Sequence, residues 1–291
     1  MTTLRIATIE PDAVQLERIL ANSTVRAMCG GLDGLPSAPR VYLELARLTG
    51  DPRTSLGALG HVIESDPGIS ASVLQLVGSA SFGRSRRMVS IQQAIGYLGV
   101  ELLKGLVLSA HLARAAAVVL PRGVSIAEFQ QKALRVARLA HAFVANPAIA
   151  ENAFTASLLI DVGQIVLALK HPEAFAQIAE RARESARPLH DVEAEVLGVT
   201  HGDLGAYLLS LWGLPPLLVE CVAFHHRPSW IADGPIAVRA VVHAADTLVQ
   251  IAQGELREEH LDLTLLHRAG YLDQLDRWRA LVTRDLAAAA T

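Results

Sequence analysis

Apolar stripes at helical spacing, separated by prolines and by residues that cap helices, run through almost the whole chain. Val41, Leu45 and Leu48 follow one another at the spacing that places side chains on one face of a helix. Asp66 precedes Pro67, so its carboxylate can accept hydrogen bonds from free amides while the proline stands where its missing N–H costs nothing. Alanine and leucine, which lose little side-chain freedom in a helix, dominate the composition. The pattern predicts an all-α protein.

The breaks between these stripes predict a helical bundle of two lobes. The first group of helices ends near Pro121, and Ser125 begins the second group. Within that second group one helix is expected over residues 148–169, and the run Leu4–Ile9 is the one weak candidate for a strand. We expect four segments: an N-terminal helix and linker (1–31), a first lobe (32–122), a second lobe (123–255) and a C-terminal helical extension (256–291).

The charge balance argues against nucleic acid or a membrane as a partner. Twenty-six lysines and arginines stand against 29 acidic residues, a net charge of −3, and no long basic stripe is present to bind phosphates. Apolar residues make up 51% of the chain, yet no uncharged run reaches the roughly 18 residues of a membrane helix. Cys29 and Cys221 lie far apart without metal-type spacing. We expect both to be small buried hydrophobes in a reducing, cytoplasmic location.

Ordered motifs give the chain a specific resemblance. In the first half these are LPSAP, then a helix start at Asp-Pro, then a helix ending in GSASFG, then SIQQAIGYLG; they occupy Leu35–Pro39, Ile63–Pro67, Val73–Gly83 and Ser90–Gly99. Four further segments continue the series: Leu158–Gln164, Thr200–Ala206, Trp212–Pro215 and His225–Pro228. Together they resemble the HDOD family of signalling output modules over residues 32–255. The resemblance implies that the second lobe is a degenerate form of the HD-type helical domain.

Two substitutions separate this chain from the related HD hydrolases, which hold a metal with two histidines and two aspartates. The HD doublet falls at residues 160–161, where Ile160 replaces the histidine. The earlier histidine falls within residues 129–133, where two glutamines precede Lys132. Gly78 also stands where family members often carry asparagine. The first two differences remove half of the ligand set that the resemblance implies.

The resemblance leaves six candidates for ligand binding at this place: Lys132, Asp161, His201, His225, His226 and Asp246. An isoleucine cannot donate to a metal and a lysine ammonium repels one, so we expect no catalytic residue, no metal and no cofactor. A weaker alternative is a metal site with a reduced ligand set: Asp161, His201, His225 and Asp246.

Each candidate also has a purely structural interpretation. Lys132 can pair with Asp161 and neutralise its carboxylate. The residues His225 and His226 end a predicted helix, where an imidazole can bond the free carbonyls. His201 follows a predicted cap and falls in a first turn, and Asp246 is expected to make a buried hydrogen bond.

The resemblance implies a bacterial regulatory module that acts through protein partners in a signalling pathway and has lost hydrolytic activity. Two alternatives stay open. One is a metal-dependent phosphohydrolase that acts on a nucleotide or a cyclic dinucleotide with the reduced ligand set. The other is a sensor that binds a nucleotide or another small molecule in the vacated pocket. A homodimer also stays open.

Overall fold

The computed structural model describes residues 12–30, 37–78, 90–117, 125–230 and 236–289. Every regular element within these ranges is helical, so the predicted all-α class is confirmed. The weak strand candidate Leu4–Ile9 and the predicted segment boundaries near residues 31 and 122 lie outside the described residues. The helices are α1 (Asp12–Ala21), α2 (Ser23–Cys29), α3 (Arg40–Thr49), α4 (Leu56–Glu64), α5 (Pro67–Val77), α6 (Ile91–Leu98), α7 (Val100–Ala117), α8 (Ile126–Phe143), α9 (Pro147–Ser157), α10 (Val162–Lys170), α11 (Pro172–Ser185), α12 (Leu189–Leu197), α13 (His201–Leu211), α14 (Pro216–Phe224), α15 (Ile236–Ala252), α16 (Leu263–Arg268) and α17 (Leu275–Ala289).

Side-chain caps begin the helices where the sequence predicts them. Ser55 Oγ accepts a hydrogen bond from the amide of Ala58 at 3.1 Å. Asp66 Oδ1 accepts two, from the amides of Gly68 and Ile69, each at 3.0 Å. The same role falls to Ser90, Ser125 and Thr200. Because each cap satisfies donors that the helix itself leaves unpaired, these positions fix where the helices start.

The helices pack around one continuous apolar core. Helices α3 to α7 contact one another, and α7 joins them to α8, α9 and α10 of the second group. Helices α8, α9, α13, α14 and α15 surround the second half of the core. The N-terminal pair docks on this second half, because α1 and α2 pack on α13 and bury Val25 and Cys29 completely. Cys221 is buried as well, so both cysteines are the buried hydrophobes that the sequence predicts.

The C-terminal extension is tied to the second lobe by one tryptophan. Trp278 of α17 is fully buried, its ring stacks on Phe143 at a centroid distance of 4.5 Å, and its Nε1 donates to the Phe143 carbonyl at 2.9 Å. Arg277 donates to the carbonyls of Phe143 and Ala142. These bonds satisfy orphan carbonyls at the end of α8, so α17 also acts as the C-terminal cap of that helix.

The single helix predicted over residues 148–169 is wrong, because the chain turns between α9 and α10. Helix α9 ends at Ser157, residues 158–161 form a turn, and α10 begins at Val162. The turn allows α10 to approach α13 closely: a Cβ on Gly163 would lie 1.8 Å from the carbonyl oxygen of His201. Asp161 closes the turn, and its side chain makes no capping bond. The break therefore places the Asp161 carboxylate where it can contact other helices.

One stretch, Pro147–Lys170, is long and apolar enough to cross a membrane by length and composition. Within its apolar window 83% of the residues are buried inside the protein, and core helices pass the same test. A single stretch of this kind is weak evidence for a membrane span.

The Asp66 cap should stabilise the folded protein measurably, and it should do so only above acidic pH. Backbone bonds and Arg114 hold the pKa of Asp66 below its usual range, so its contribution is present above the unfolded pKa and is lost as pH falls through the folded pKa. We expect Asp66→Ala to lower the free energy of unfolding by about 1 kcal/mol at pH 7. Denaturant unfolding at pH 7 and pH 3 measures this. Asp66→Asn, which keeps an oxygen acceptor, is the control, and equal losses for the two variants would contradict the cap.

Candidate functional site

The six predicted ligand candidates come from five helices or helix ends and meet in the second lobe. Lys132 lies on α8, Asp161 in the turn before α10, His201 at the start of α13 and Asp246 on α15. The pair His225 and His226 directly follows α14. Lys132, Asp161 and the three histidines are joined by direct contacts, and Asp246 lies close enough for its charge to act on Lys132. Residues that are far apart along the chain thus meet at one place in the second lobe.

An ion pair occupies one side of the site. Lys132 Nζ lies 3.0 Å from Asp161 Oδ2, and Gln164 Nε2 donates to the other oxygen, Oδ1, at 2.9 Å. The carboxylate is buried, and the lysine side chain keeps 32% of its surface exposed. Burial alone would raise the pKa of Asp161, but Lys132 and then His201 lower it below its usual range. Asp161 is therefore a charged carboxylate that already has a cation beside it.

Asp246 behaves differently from Asp161. It is 1% exposed, Oδ2 accepts a hydrogen bond from Gln250 Nε2 at 2.6 Å, and Oδ1 has no hydrogen-bond partner among the described atoms. Burial raises the pKa of Asp246, and Lys132 offsets only part of that rise. The expected buried hydrogen bond is present.

Three histidines form the other side of the site. Their Nε2 atoms converge: His201 lies 3.2 Å from His225 and 3.1 Å from His226, measured between these nitrogens. The remaining ring nitrogens of two of them are fixed by buried acceptors. His201 Nδ1 lies 2.7 Å from Glu193 Oε2, and His225 Nδ1 lies 2.8 Å from the Val222 carbonyl. An Nδ1–H must donate in both contacts, because a carboxylate and a carbonyl only accept.

This tautomer assignment favours a cation at the centre of the histidine cluster. With Nδ1 protonated on both rings, the Nε2 atoms of His201 and His225 would present lone pairs to each other at 3.2 Å. A proton on one Nε2 relieves this, as does a metal ion between them. Burial lowers the pKa of His225 to about 3, whereas Glu193 and Asp161 outweigh burial and raise the pKa of His201. Of the two rings, His201 is the one whose protonated form the neighbouring carboxylates favour.

Three residues of the site lie outside the predicted set. Glu193 of α12 is fully buried and also accepts the backbone amide of His201 at 2.8 Å. His190 stacks on His226 at a centroid distance of 3.9 Å. His243 of α15 donates from Nδ1 to the His225 carbonyl at 2.8 Å and accepts the Asp262 amide at Nε2.

No signal in the sequence distinguishes Glu193. Its neighbours Asp191 and Glu195 on the same helix are more exposed, and nothing in the amino-acid sequence distinguishes the three acidic residues. The role of Glu193 follows from its burial against His201, which only the packing of α12 on α13 creates.

A cavity of about 610 Å³ leads from the histidines to the surface. His226, His190 and His243 line its inner end, and Trp230, which is half exposed, lines the outer part. The guanidinium of Arg227 lies 4.7 Å from the centroid of the Trp230 ring. The cavity therefore gives a small molecule access to His226 past Trp230, and its lining also includes the acidic residues Glu258, Glu259 and Asp262.

The fold and this site define an all-helical domain that brings a lysine–aspartate ion pair and a cluster of three histidines together in its second lobe. The family model of the HDOD domain matches residues 35–228. The chain belongs to the HDOD family, as the resemblance predicts. The matched region ends before α15, although the site draws His243 and Asp246 from that helix.

Comparison with individual proteins places the chain among others of this fold. An uncharacterized protein of Treponema pallidum (strain Nichols) is 24% identical over 238 residues, which cover 81% of this chain and 46% of that protein. The chain thus spans about half the length of the curated relative it matches. An HDOD domain protein of unknown function from Geobacter sulfurreducens superposes with a TM-score of 0.73 at 22% identity, covering 94% of this chain and 95% of the other. A candidate phosphohydrolase from Shewanella amazonensis SB2B superposes with a TM-score of 0.68 at 21% identity. The superposition covers 91% of this chain and 95% of the other. These likenesses show the fold.

Removing Lys132 should leave a buried negative charge without its partner. We expect Lys132→Met to lower the free energy of unfolding by about 2 kcal/mol, because an uncompensated buried carboxylate is costly and the exposed end of the lysine moderates the loss. The control is Lys132→Met combined with Asp161→Asn, which removes both charges and should recover part of the loss. Denaturant unfolding of the two single variants and the double variant measures the coupling, and strictly additive effects would contradict the pair.

Proposed function

We propose that the chain is a non-catalytic signal-transduction module that acts through protein partners. The observation that carries this proposal is the ion pair of Lys132 with Asp161, at 3.0 Å, in the place where the HD hydrolases hold their metal. Ile160, at the position of the HD histidine, is 1% exposed and belongs to the apolar core. The fold is intact around a site whose hydrolytic ligand set is incomplete.

The residues present do not fit a hydrolytic HD centre. A divalent ion on Asp161 would lie within a few ångströms of the Lys132 ammonium, and at such a distance like charges repel strongly in a buried site. The lysine would have to move away or lose its proton. Burial favours proton loss, yet Asp161 and Asp246 raise the pKa of Lys132 overall, so its charge is retained. A catalytic metal on the Asp161 carboxylate therefore does not fit this site.

A regulatory domain needs surfaces that a partner protein can recognise. Several large apolar side chains are exposed on this chain, among them Leu56 at 60%, Tyr97 at 50% and Trp230 at 50%. Exposed aromatic side chains supply much of the binding energy at protein interfaces. This pattern supports a partner-binding role without identifying the partner.

Affinity capture tests the partner. The tagged full chain is used as bait in lysate of its own source organism, with excess untagged chain as competitor in a parallel sample. We expect at least one protein to be enriched and then displaced by the competitor, because specific binding saturates. Trp230→Ala and Leu56→Ala baits report which exposed side chain the partner contacts. Capture profiles that do not change with the competitor would contradict the proposal.

A second candidate function has its own observation. One ring nitrogen from each of His201, His225 and His226 lies within 4.8 Å of the other two, which is a metal-type arrangement. Glu193 orients His201 as the carboxylates beside metal-binding histidines do. The Shewanella amazonensis protein of similar fold is named as a candidate phosphohydrolase. A metal-dependent phosphohydrolase with a reduced ligand set is therefore the alternative.

Metal analysis and a hydrolysis assay decide between the two candidates. The chain is purified without metal-affinity resin or chelator, its metals are measured by elemental mass spectrometry, and bis(p-nitrophenyl) phosphate is supplied with added Mn²⁺, Fe²⁺ or Zn²⁺. We expect no hydrolysis above that of a His225→Ala, His226→Ala variant, because the carboxylate needed for a hydrolytic centre is held by Lys132.

Each result has a distinct meaning. About one metal per chain with hydrolysis that the His225→Ala, His226→Ala variant lacks would contradict the non-catalytic proposal. About one metal without hydrolysis would assign the histidines a structural ion in a non-catalytic domain. Less than about a tenth of an equivalent, again without hydrolysis, would support the protonated histidine cluster.

A further inference from the structure

A groove away from the histidine site separates the two groups of helices. It has a volume of about 680 Å³ and lies between α6 and α7 on one side and α8, α9 and α17 on the other. We call it the interlobe groove, and the side chains that define it here are Tyr97, Leu102, Leu139, Glu151, Phe154 and Arg284. The volume falls within the range of small-molecule pockets, which occur preferentially where two structural units meet.

The floor of the interlobe groove is apolar. Leu102, Leu139 and Phe154 are all less than 9% exposed, so they belong to the core and present only their upper surfaces to the groove. Tyr97 stands at the rim and is 50% exposed. His141, which meets Phe154 edge to face, adds no charge at neutral pH, because burial lowers its pKa. An apolar floor beside an exposed aromatic ring favours a ligand with a hydrocarbon portion.

The wall formed by α8 and α17 is cationic. Asp285 is held by two arginines, with Arg138 Nη2 at 2.6 Å and Arg135 Nε at 3.1 Å, so its carboxylate is already satisfied. Arg284 is exposed, its Nε donates to its own helix at Ala280, and it makes no ion pair within the described part of the chain. Arg138 and Arg284 line this wall together with one carboxylate, Asp285, which leaves one positive charge, that of Arg284. Glu151 lines the groove from α9.

We propose that the interlobe groove binds a small amphipathic carboxylate, with the hydrocarbon chain on the Leu102, Leu139 and Phe154 floor and the carboxylate at Arg284. An arginine offers a carboxylate two parallel N–H donors, and the free edge of Arg284 is available for this. The acidic Glu151 on the opposite side orients the head group toward α17 by repulsion. The site shares none of these residues with the histidine cluster, so it stands independently of the proposed function.

Such a ligand would bridge three parts of the chain. Its tail would touch the first group of helices through Leu102 and the second through Leu139, and its head would touch the C-terminal helix through Arg284. Ligands that bind only the assembled state stabilise it by mass action. Binding should therefore raise the thermal midpoint as well as give a saturable signal.

Decanoate is the probe, and titration calorimetry with a parallel thermal-shift measurement is the experiment. We expect saturable 1:1 binding to the full chain, with 1-decanol binding at least about tenfold more weakly because it lacks the charge. Arg284→Gln should weaken decanoate binding about tenfold. The expected effect is no larger because Arg284 is exposed and solvent screens its charge. Glu151→Gln should leave binding unchanged or tighten it. Arg53→Gln, at a side chain that is 90% exposed and outside the groove, is the matched control.

The outcomes separate the carboxylate site from simpler explanations. Equal binding of decanoate and decanol would show an apolar surface that does not recognise the head group, and the proposal would be wrong. The same holds if Arg284→Gln and Arg53→Gln bind like the unmodified chain, or if no saturable binding occurs. Circular dichroism of Arg284→Gln verifies that the variant is folded, so a loss of binding is assigned to the side chain.

Discussion

The close approach of three helix backbones, made possible by glycines, is the constraint on which the candidate site depends. A Cβ on Gly163 would lie 1.8 Å from the His201 carbonyl oxygen, and one on Gly202 would lie 3.0 Å from the carbonyl oxygen of Ala223. One on Gly205 would meet side chains of α10 and α14 at 3.0 and 2.9 Å. Helices α10, α13 and α14 therefore touch nearly backbone to backbone. The ends of these helices carry Asp161, His201 and His225, and these side chains meet because the glycines of α10 and α13 add no side chains of their own between the helices.

The electrostatics of the site follow from this tight packing. Asp161 and Glu193 are buried carboxylates, and a buried charge is unfavourable unless a partner lies beside it. In an HD hydrolase the metal supplies the positive charge. Here the Lys132 ammonium neutralises Asp161, and the Nδ1–H of His201 donates to Glu193. The Lys132 ammonium thus balances the charge of the Asp161 carboxylate inside the lobe.

The sequence predicts where the helices begin and end better than it predicts how the helices pack on one another. Caps such as Asp66 and Thr200 are local, because a side chain bonds amides two or three residues away, and both were predicted correctly. The turn over residues 158–161 was not predicted, because no proline marks it in the sequence. It is defined by the close packing of α10 on α13, which is a tertiary contact. Glu193 was missed for the same reason. The six ligand candidates were predicted through the motifs of the family, and their distances became known only from the packing.

Helix α8 connects the candidate site and the interlobe groove. Lys132 contacts Asp161 at one end, and Leu139 lines the groove two turns later, about 10 Å along the helix axis. This helix of 18 residues is held at its C-terminus by hydrogen bonds from Arg277 and Trp278 of α17. The ion pair and the interlobe groove therefore share one helix, and that helix is bonded to α17 at its C-terminus. Because Lys132 is the site residue that α8 contributes, the neutralisation of the Asp161 carboxylate depends directly on the position of α8.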